Sequence, residues 1–102
     1  MSDEQLFPLM EGYNSISSYL DETEFPVDLY EADSYYLAES LLPYISPNSM
    51  EIFVKDNYLT VRVRTLDNHI KSRTVYFPQK IENNAITSAF TDNILEVKIF
   101  KN

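Results

Sequence analysis

The chain has no cysteine and no tryptophan, and among its 102 residues it has one glycine, Gly12, and one histidine, His69. Each shortage removes a class of chemistry. Without cysteine there is no disulfide framework, no thiolate nucleophile and no Cys-based zinc site, which suits a reducing compartment. A single glycine cannot build a glycine-rich phosphate cradle, so the dinucleotide and P-loop fingerprints are excluded. Bases are scarce as well: eight Lys and Arg stand against sixteen Asp and Glu, for a formal net charge of −8. Those eight are scattered, which opposes binding to nucleic acid or to anionic lipid, because both need clustered cations. The chain opens with no cationic stretch followed by an apolar run, and no window reaches the length of a membrane span. A cytoplasmic protein that engages neither nucleic acid nor membrane is expected.

What is present is a globular composition rich in strand formers. Hydrophobic residues make up 44% of the chain, with eight Tyr and six Phe, enough for one domain with a modest two-layer core. The charge is unevenly placed. Residues 1–24 carry Asp3, Glu4, Glu11, Asp21, Glu22 and Glu24 and no base, whereas residues 25–102 hold ten acids against eight bases. This divides the chain into an acidic N-terminal arm, 1–24, and a folded domain, 25–102. Within the arm, Leu6, Met10, Tyr13, Ile16 and Leu20 recur at spacings of three or four, with Pro8 near the start. Two readings stand side by side: a partly disordered acidic tail, or an amphipathic helix that docks through this stripe on a partner or on its own domain.

From Phe25 onward the apolar period changes to two. Leu59, Val61 and Val63 alternate with Tyr58, Thr60, Arg62 and Arg64, as expected of a strand with one buried and one wet face. Met50, Ile52 and Val54 repeat the pattern, as do Leu95, Val97 and Ile99. Further strands are expected over 27–30, 35–41, 73–77 and 86–90, making seven. Pro26, Pro43, Pro47 and Pro78 fall at strand ends, where a missing amide hydrogen costs nothing. The pattern Asp-Asn-x-Leu-x-Val occurs twice, from Asp56 and from Asp92, and both Asp-Asn pairs predict tight hairpin turns because Asp and Asn tolerate positive φ. The expected fold is all-β: an antiparallel, immunoglobulin-like β-sandwich of about seven strands.

No reacting group stands out. His69 lies in the polar stretch Leu66-Asp67-Asn68-His69 and reads as an exposed loop residue, since a general base needs an oriented partner and a pocket. One histidine cannot hold a metal. Ser15, Ser17 and Ser18 lack a context that would activate a nucleophile, and Asp21 to Glu24 has no spacing that fixes a coordination geometry. The expectation is a protein with no cofactor, no metal and no enzymatic activity, acting through its surfaces.

Several segments carry a resemblance to the α-crystallin domain of small heat-shock proteins. Phe25-Pro26-Val27-Asp28-Leu29-Tyr30-Glu31-Ala32-Asp33 resembles its opening strand and acidic turn, and Leu42-Pro43-Tyr44-Ile45 is similar to its Leu-Pro-Gly-Val loop. Residues 50–61 resemble its central hairpin, and Arg73-Thr74-Val75-Tyr76-Phe77-Pro78 its strand ending in Leu-Pro. Ser88-Ala89-Phe90-Thr91-Asp92-Asn93-Ile94-Leu95 is similar to the closing Ala-x-x-x-Asn-Gly-Val-Leu signature. The resemblance runs in order over about 25–101. Two family glycines are replaced, by Tyr44 and by Asn93, and the connection over 65–72 is too short for the exchange strand or extended pairing strand of other members. The sequence ends at Asn102, directly after the last strand, so the Ile-x-Ile anchor is expected to be missing; Val97-Lys98-Ile99 fits that pattern but belongs to a strand.

The resemblance implies an ATP-independent chaperone (a holdase) acting in stress response, which binds partly unfolded proteins in a groove between the strand at 50–54 and the strand at 86–90. Carried over position by position, Ile52, Val54 and Ser88 would line that groove, with Phe90 beside them; as ordinary core residues Ile52 and Val54 would show the same alternation. A monomer or an atypical homodimer is implied, since a large oligomer lacks its anchor. Two other functions are compatible: an adaptor like the CS domain of co-chaperones, which shares the sandwich and the short central connection, or a regulator of a larger small heat-shock protein.

Overall fold

The fold is described from a computed structural model, for residues 7–8 and 25–102. Strands β1 (Phe7–Pro8), β2 (Asp28–Glu31), β3 (Tyr35–Leu41), β4 (Glu51–Lys55), β5 (Tyr58–Arg64), β6 (Ile70–Tyr76), β7 (Ile86–Thr91) and β8 (Ile94–Phe100) form two sheets, with one 3-10 turn at Pro47–Ser49. A five-stranded sheet runs β1-β2-β3-β8-β7 and a three-stranded sheet runs β4-β5-β6, with every pairing antiparallel. The seven expected strands of the domain are all there. The expectation that differs most in its bounds is 73–77. Register Arg64↔Ile70 carries β6 back to Ile70 and leaves only residues 65–69 as the connection. Ile70 and Lys71 are exposed, so the start of that strand has no hydrophobic alternation to announce it.

Alternation decides the layers. Tyr36, Ala38, Val97 and Ile99 from one sheet meet Leu59, Val61, Val63 and Val75 from the other in a single buried cluster, as face-to-face sheet packing requires. Phe77 and Ile81, in the crossover from β6 to β7, close it off and are fully buried. The Tyr36 and Phe77 rings meet in a tilted pair, 5.1 Å between centroids. Ordering of the last residues comes from Lys101, whose Nζ donates to Glu31 Oε2 at 2.7 Å and to the Ala32 carbonyl at 2.8 Å while lying 5.0 Å above the Tyr36 ring.

Tyr36 is therefore a phenol in a nearly dry setting. Burial raises its pKa, the Glu31 carboxylate raises it further, and Lys101 offsets this in part. A raised folded-state pKa means that this contribution to stability is complete below the ordinary tyrosine value of about 10 and is lost as pH rises through the folded value. Denaturant midpoints should accordingly hold level up to about pH 10 and then fall, and Tyr36→Phe should flatten that fall. An unchanged alkaline slope in the variant would disprove the assignment.

The two Asp-Asn pairs do sit at hairpin turns, but not of one kind. In the β7–β8 turn Asp92 and Asn93 both have positive φ, 54° and 67°, the type I′ geometry that matches strand twist. In the β4–β5 turn Asp56 has a φ of 47°, and the turn is held from outside. Phe77 N–H donates to the Asn57 carbonyl and Ile81 N–H to the Asp56 carbonyl, both at 2.7 Å, and Asn57 Nδ2 donates to the Phe77 carbonyl.

Tyr44, the residue standing in place of a family glycine, keeps the glycine conformation, with φ of 61°. Its carbonyl accepts a 2.8 Å hydrogen bond from Leu66 N–H, which ties the β3–β4 crossover to the β5–β6 hairpin. The side chain is 78% exposed, so it gains little packing to offset a steric cost of roughly 1–2 kcal/mol. Tyr44→Gly should raise stability by up to about 1 kcal/mol, the relief of strain exceeding the added freedom of the unfolded chain. Chemical denaturation tests this, and a loss of stability would show that the tyrosine is held by more than its backbone.

Candidate protein-binding groove

Two strand edges lie on the same side of the sandwich. Arg73, on β6, donates from Nη1 to the Phe25 carbonyl at 3.4 Å, which puts β6 over the β2 end of the larger sheet. The opposite edge strands are β4 of the smaller sheet and β7 of the larger. Register places Ile52 opposite Val61 and Val54 opposite Leu59, so both point between the sheets. Ser88 opposes Val97 and Phe90 opposes Leu95, which turns them to the same interior face. Ile52, Val54 and Phe90 are half-buried and pack against the edge of the core, whereas Ser88 is exposed. All four residues that the resemblance puts in a groove lie on the interior faces of these two edge strands, and Ile52 and Val54 are partly buried against the core and partly open.

Ile86 joins them. It opposes Ile99 on the same interior face and stays 37% exposed. The signal was present in the sequence, since Ile86, Ser88 and Phe90 are spaced by two. Chemically, β7 is unusual for an edge: Ile86-Thr87-Ser88-Ala89-Phe90-Thr91 has no charged residue, and five of its six residues are exposed. Exposed edges normally carry Lys, Pro or a bulge to block pairing with another chain. On β4, charge is confined to Glu51 and Lys55 at the two ends, and Glu51 is engaged by Arg62 at 3.2 Å. Arg62 also covers the Phe53 ring on the outer face, 5.1 Å from its centroid. The interior-facing residues of these two edges are uncharged and would suit an extended apolar segment.

The other candidate residues lie elsewhere. His69 is exposed in the β5–β6 hairpin with Nδ1 3.2 Å from Asp67 Oδ2. The Thr65 hydroxyl donates to Asp67 and, with His69 second, holds that carboxyl below its usual range. The arrangement is a closed hairpin of local bonds. Among the described residues no group of three or more His, Asp or Glu is placed to hold a metal ion. The stripe Leu6, Met10, Tyr13, Ile16 and Leu20 lies outside the described residues. Arg73, buried on the interior face of β6, went unremarked in the sequence although it is in step with Val75 and Phe77. A hollow of about 630 Å³ at one end of the sandwich, walled by Phe25, Leu42, Tyr44 and Leu66, was also unforeseen.

A two-sheet antiparallel sandwich with this strand order is the α-crystallin type of fold, the fold of small heat-shock proteins. The chain superposes on HSP18.5 from E. histolytica with a TM-score of 0.68 and 22% identity, over 76% of this chain and 88% of that one. A mutant of hsp14.1 from Sulfolobus solfatataricus P2 gives 0.68 and 13%, over 83% and 84%. Heat shock protein 16.0 from Schizosaccharomyces pombe gives 0.68 and 19%, over 78% and 67%. No protein-family profile and no curated protein matches the sequence. The relation is therefore one of fold, visible in three dimensions and faint in residue identity.

Proposed function

We propose that this protein is an ATP-independent holdase that takes up extended, partly unfolded segments along the β4–β7 cleft. The observation that carries the reading is the unprotected β7 edge, six residues without charge of which five are exposed, together with the half-buried Ile52, Val54 and Phe90 at the margin of the core. An incoming strand would gain main-chain hydrogen bonds from the edge and bury alternate side chains in the cleft. No nucleotide enters the scheme, in keeping with a chain that has one glycine. Its partners are unfolded proteins, and its place is in a stress response.

In an aggregation assay, equimolar or excess protein should suppress light scattering by a heat-denatured client with no dependence on added ATP. Unaltered scattering would remove the reading. Molar mass measured in the same samples addresses assembly. The five-residue connection 65–69 leaves no exchange strand, so a monomer or a homodimer is expected. A monomer that binds folded proteins but not denatured ones would favour the docking-adaptor reading instead.

A further inference from the structure

The most exposed large apolar side chains among the described residues are gathered in one place. Tyr44 is 78%, Leu66 69% and Leu41 61% exposed, and all three line the hollow of about 630 Å³ at the end of the sandwich. Its floor belongs to the core, where Leu42 and Val63 are buried. Apolar residues scattered singly over a surface are ordinary, but a set gathered around a concavity that reaches the core marks a binding surface. The walls are the β3–β4 crossover and the β5–β6 hairpin, and they are fastened to each other. Leu66 N–H donates to the Tyr44 carbonyl at 2.8 Å, Ser46 N–H donates to the Arg64 carbonyl at 2.9 Å, and Ile45 bridges Thr65 between them. The hollow is therefore preformed, and these backbone groups, already paired, offer no strand edge to an extended peptide.

Two further observations bear on what fits there. Lys71 opposes Val63, which turns it to the interior face of β6 and into the lining of the hollow. It makes no ion pair with any described residue, whereas Asp67, the other charged residue of the lining, takes a hydrogen bond from the Thr65 hydroxyl and lies 3.2 Å from His69. Tyr44, for its part, holds a positive φ that is strained for a tyrosine, and its exposed ring gains little packing in return. Strain of this kind gathers at ligand clamps. We propose that the hollow is a binding site for a small amphipathic acid, its apolar body held between Tyr44 and Leu66 and its carboxylate at the Lys71 ammonium. The volume is that of small-molecule sites, which run from about 300 to 1,000 Å³. No residue of β4 or β7 lines it, so the inference is independent of client binding.

Decanoate, kept below its micelle concentration, is the probe and decanol the uncharged control, with amide spectra of the full chain as the readout. Both should give saturable shifts at Leu42, Val63 and Leu66 and none at Ile52 or Ser88. Lys71→Met should weaken decanoate about two- to fivefold and leave decanol unchanged. Tyr44→Gly should weaken both probes about fivefold or more while the fold gains stability, a combination that a residue kept for structure would not show. Leu66→Ser, at an exposed position, should repeat that loss without altering the turn. Shifts centred on Ile52 and Ser88, no saturable shift from either probe, or full affinity in both Tyr44→Gly and Leu66→Ser would overturn the site. Undiminished decanoate binding in Lys71→Met, or equal losses of decanoate and decanol, would overturn the acid as its ligand.

Discussion

Ser88→Lys is expected to weaken client binding by at least about tenfold while leaving the fold unchanged, whereas Thr87→Lys on the same strand stays within about twofold. Both residues are exposed on β7 and neither supports the core, so stability should shift by no more than about 0.5 kcal/mol in either case. What separates them is the face. Ser88 opposes Val97 and looks into the cleft, and Thr87 opposes Lys98 and looks outward. A client strand in the cleft would leave the new ammonium without water on one side. A lysine can extend its stem to reach solvent, so the cost is roughly 1.5–3 kcal/mol, well short of a fully buried ion and equivalent to a ten- to hundredfold loss. Titration of a labelled, permanently unfolded client reads both affinities. Equal losses would mean that the edge is engaged without regard to face; two unaffected variants would move the binding surface elsewhere.

Phe77→Ala should cost about 3–5 kcal/mol and lower the melting temperature by roughly 15–30 °C, whereas Phe53→Ala should cost less than about 1 kcal/mol. A domain of this size has about 5–15 kcal/mol to lose, so the first substitution leaves a marginal protein. Phe77 is fully buried, rests against Tyr36, and through its own N–H and carbonyl fastens the β4–β5 turn. Its truncation opens a cavity where the crossover and the β4–β5 hairpin meet the core. Phe53 is 43% exposed on the outer face of β4, with Arg62 above it. Thermal melts of the two variants distinguish them directly, and comparable losses would contradict the placement of Phe77 as a central core residue.

The contrast between these phenylalanines shows where sequence reasoning ends. Phe53 sits inside a clean alternation, opposite in phase to Ile52 and Val54, so its outward position was legible. Phe77 is in phase with Val75 but stands beside Pro78 at the end of a strand, where the local pattern does not show that it closes the core and fastens a distant turn. Tyr44 is a similar case. A bulky residue at a family glycine position reads as a departure, yet the backbone there still turns through positive φ, because Leu66 N–H needs the carbonyl that this turn presents.

Period-two alternation, proline placement and the two Asp-Asn pairs were enough by themselves to determine the seven strands of residues 25–102 and the sandwich class. Those are local properties: alternation reports which side of a strand is dry, and turn residues report where the chain reverses. Other features were decided only by tertiary structure: the pairing of β1 on β2, the backward extension of β6 to Ile70, the burial of Arg73, and the dry outer-face cluster around Leu37. Each depends on a partner that the local pattern does not name: Arg64 across the hairpin for Ile70, and far away in the chain Glu31 for Phe7, Phe25 for Arg73, and Lys98 and Phe100 for Leu37. A one-dimensional pattern records what a residue prefers, and only the packed sheets record which distant residue meets that preference.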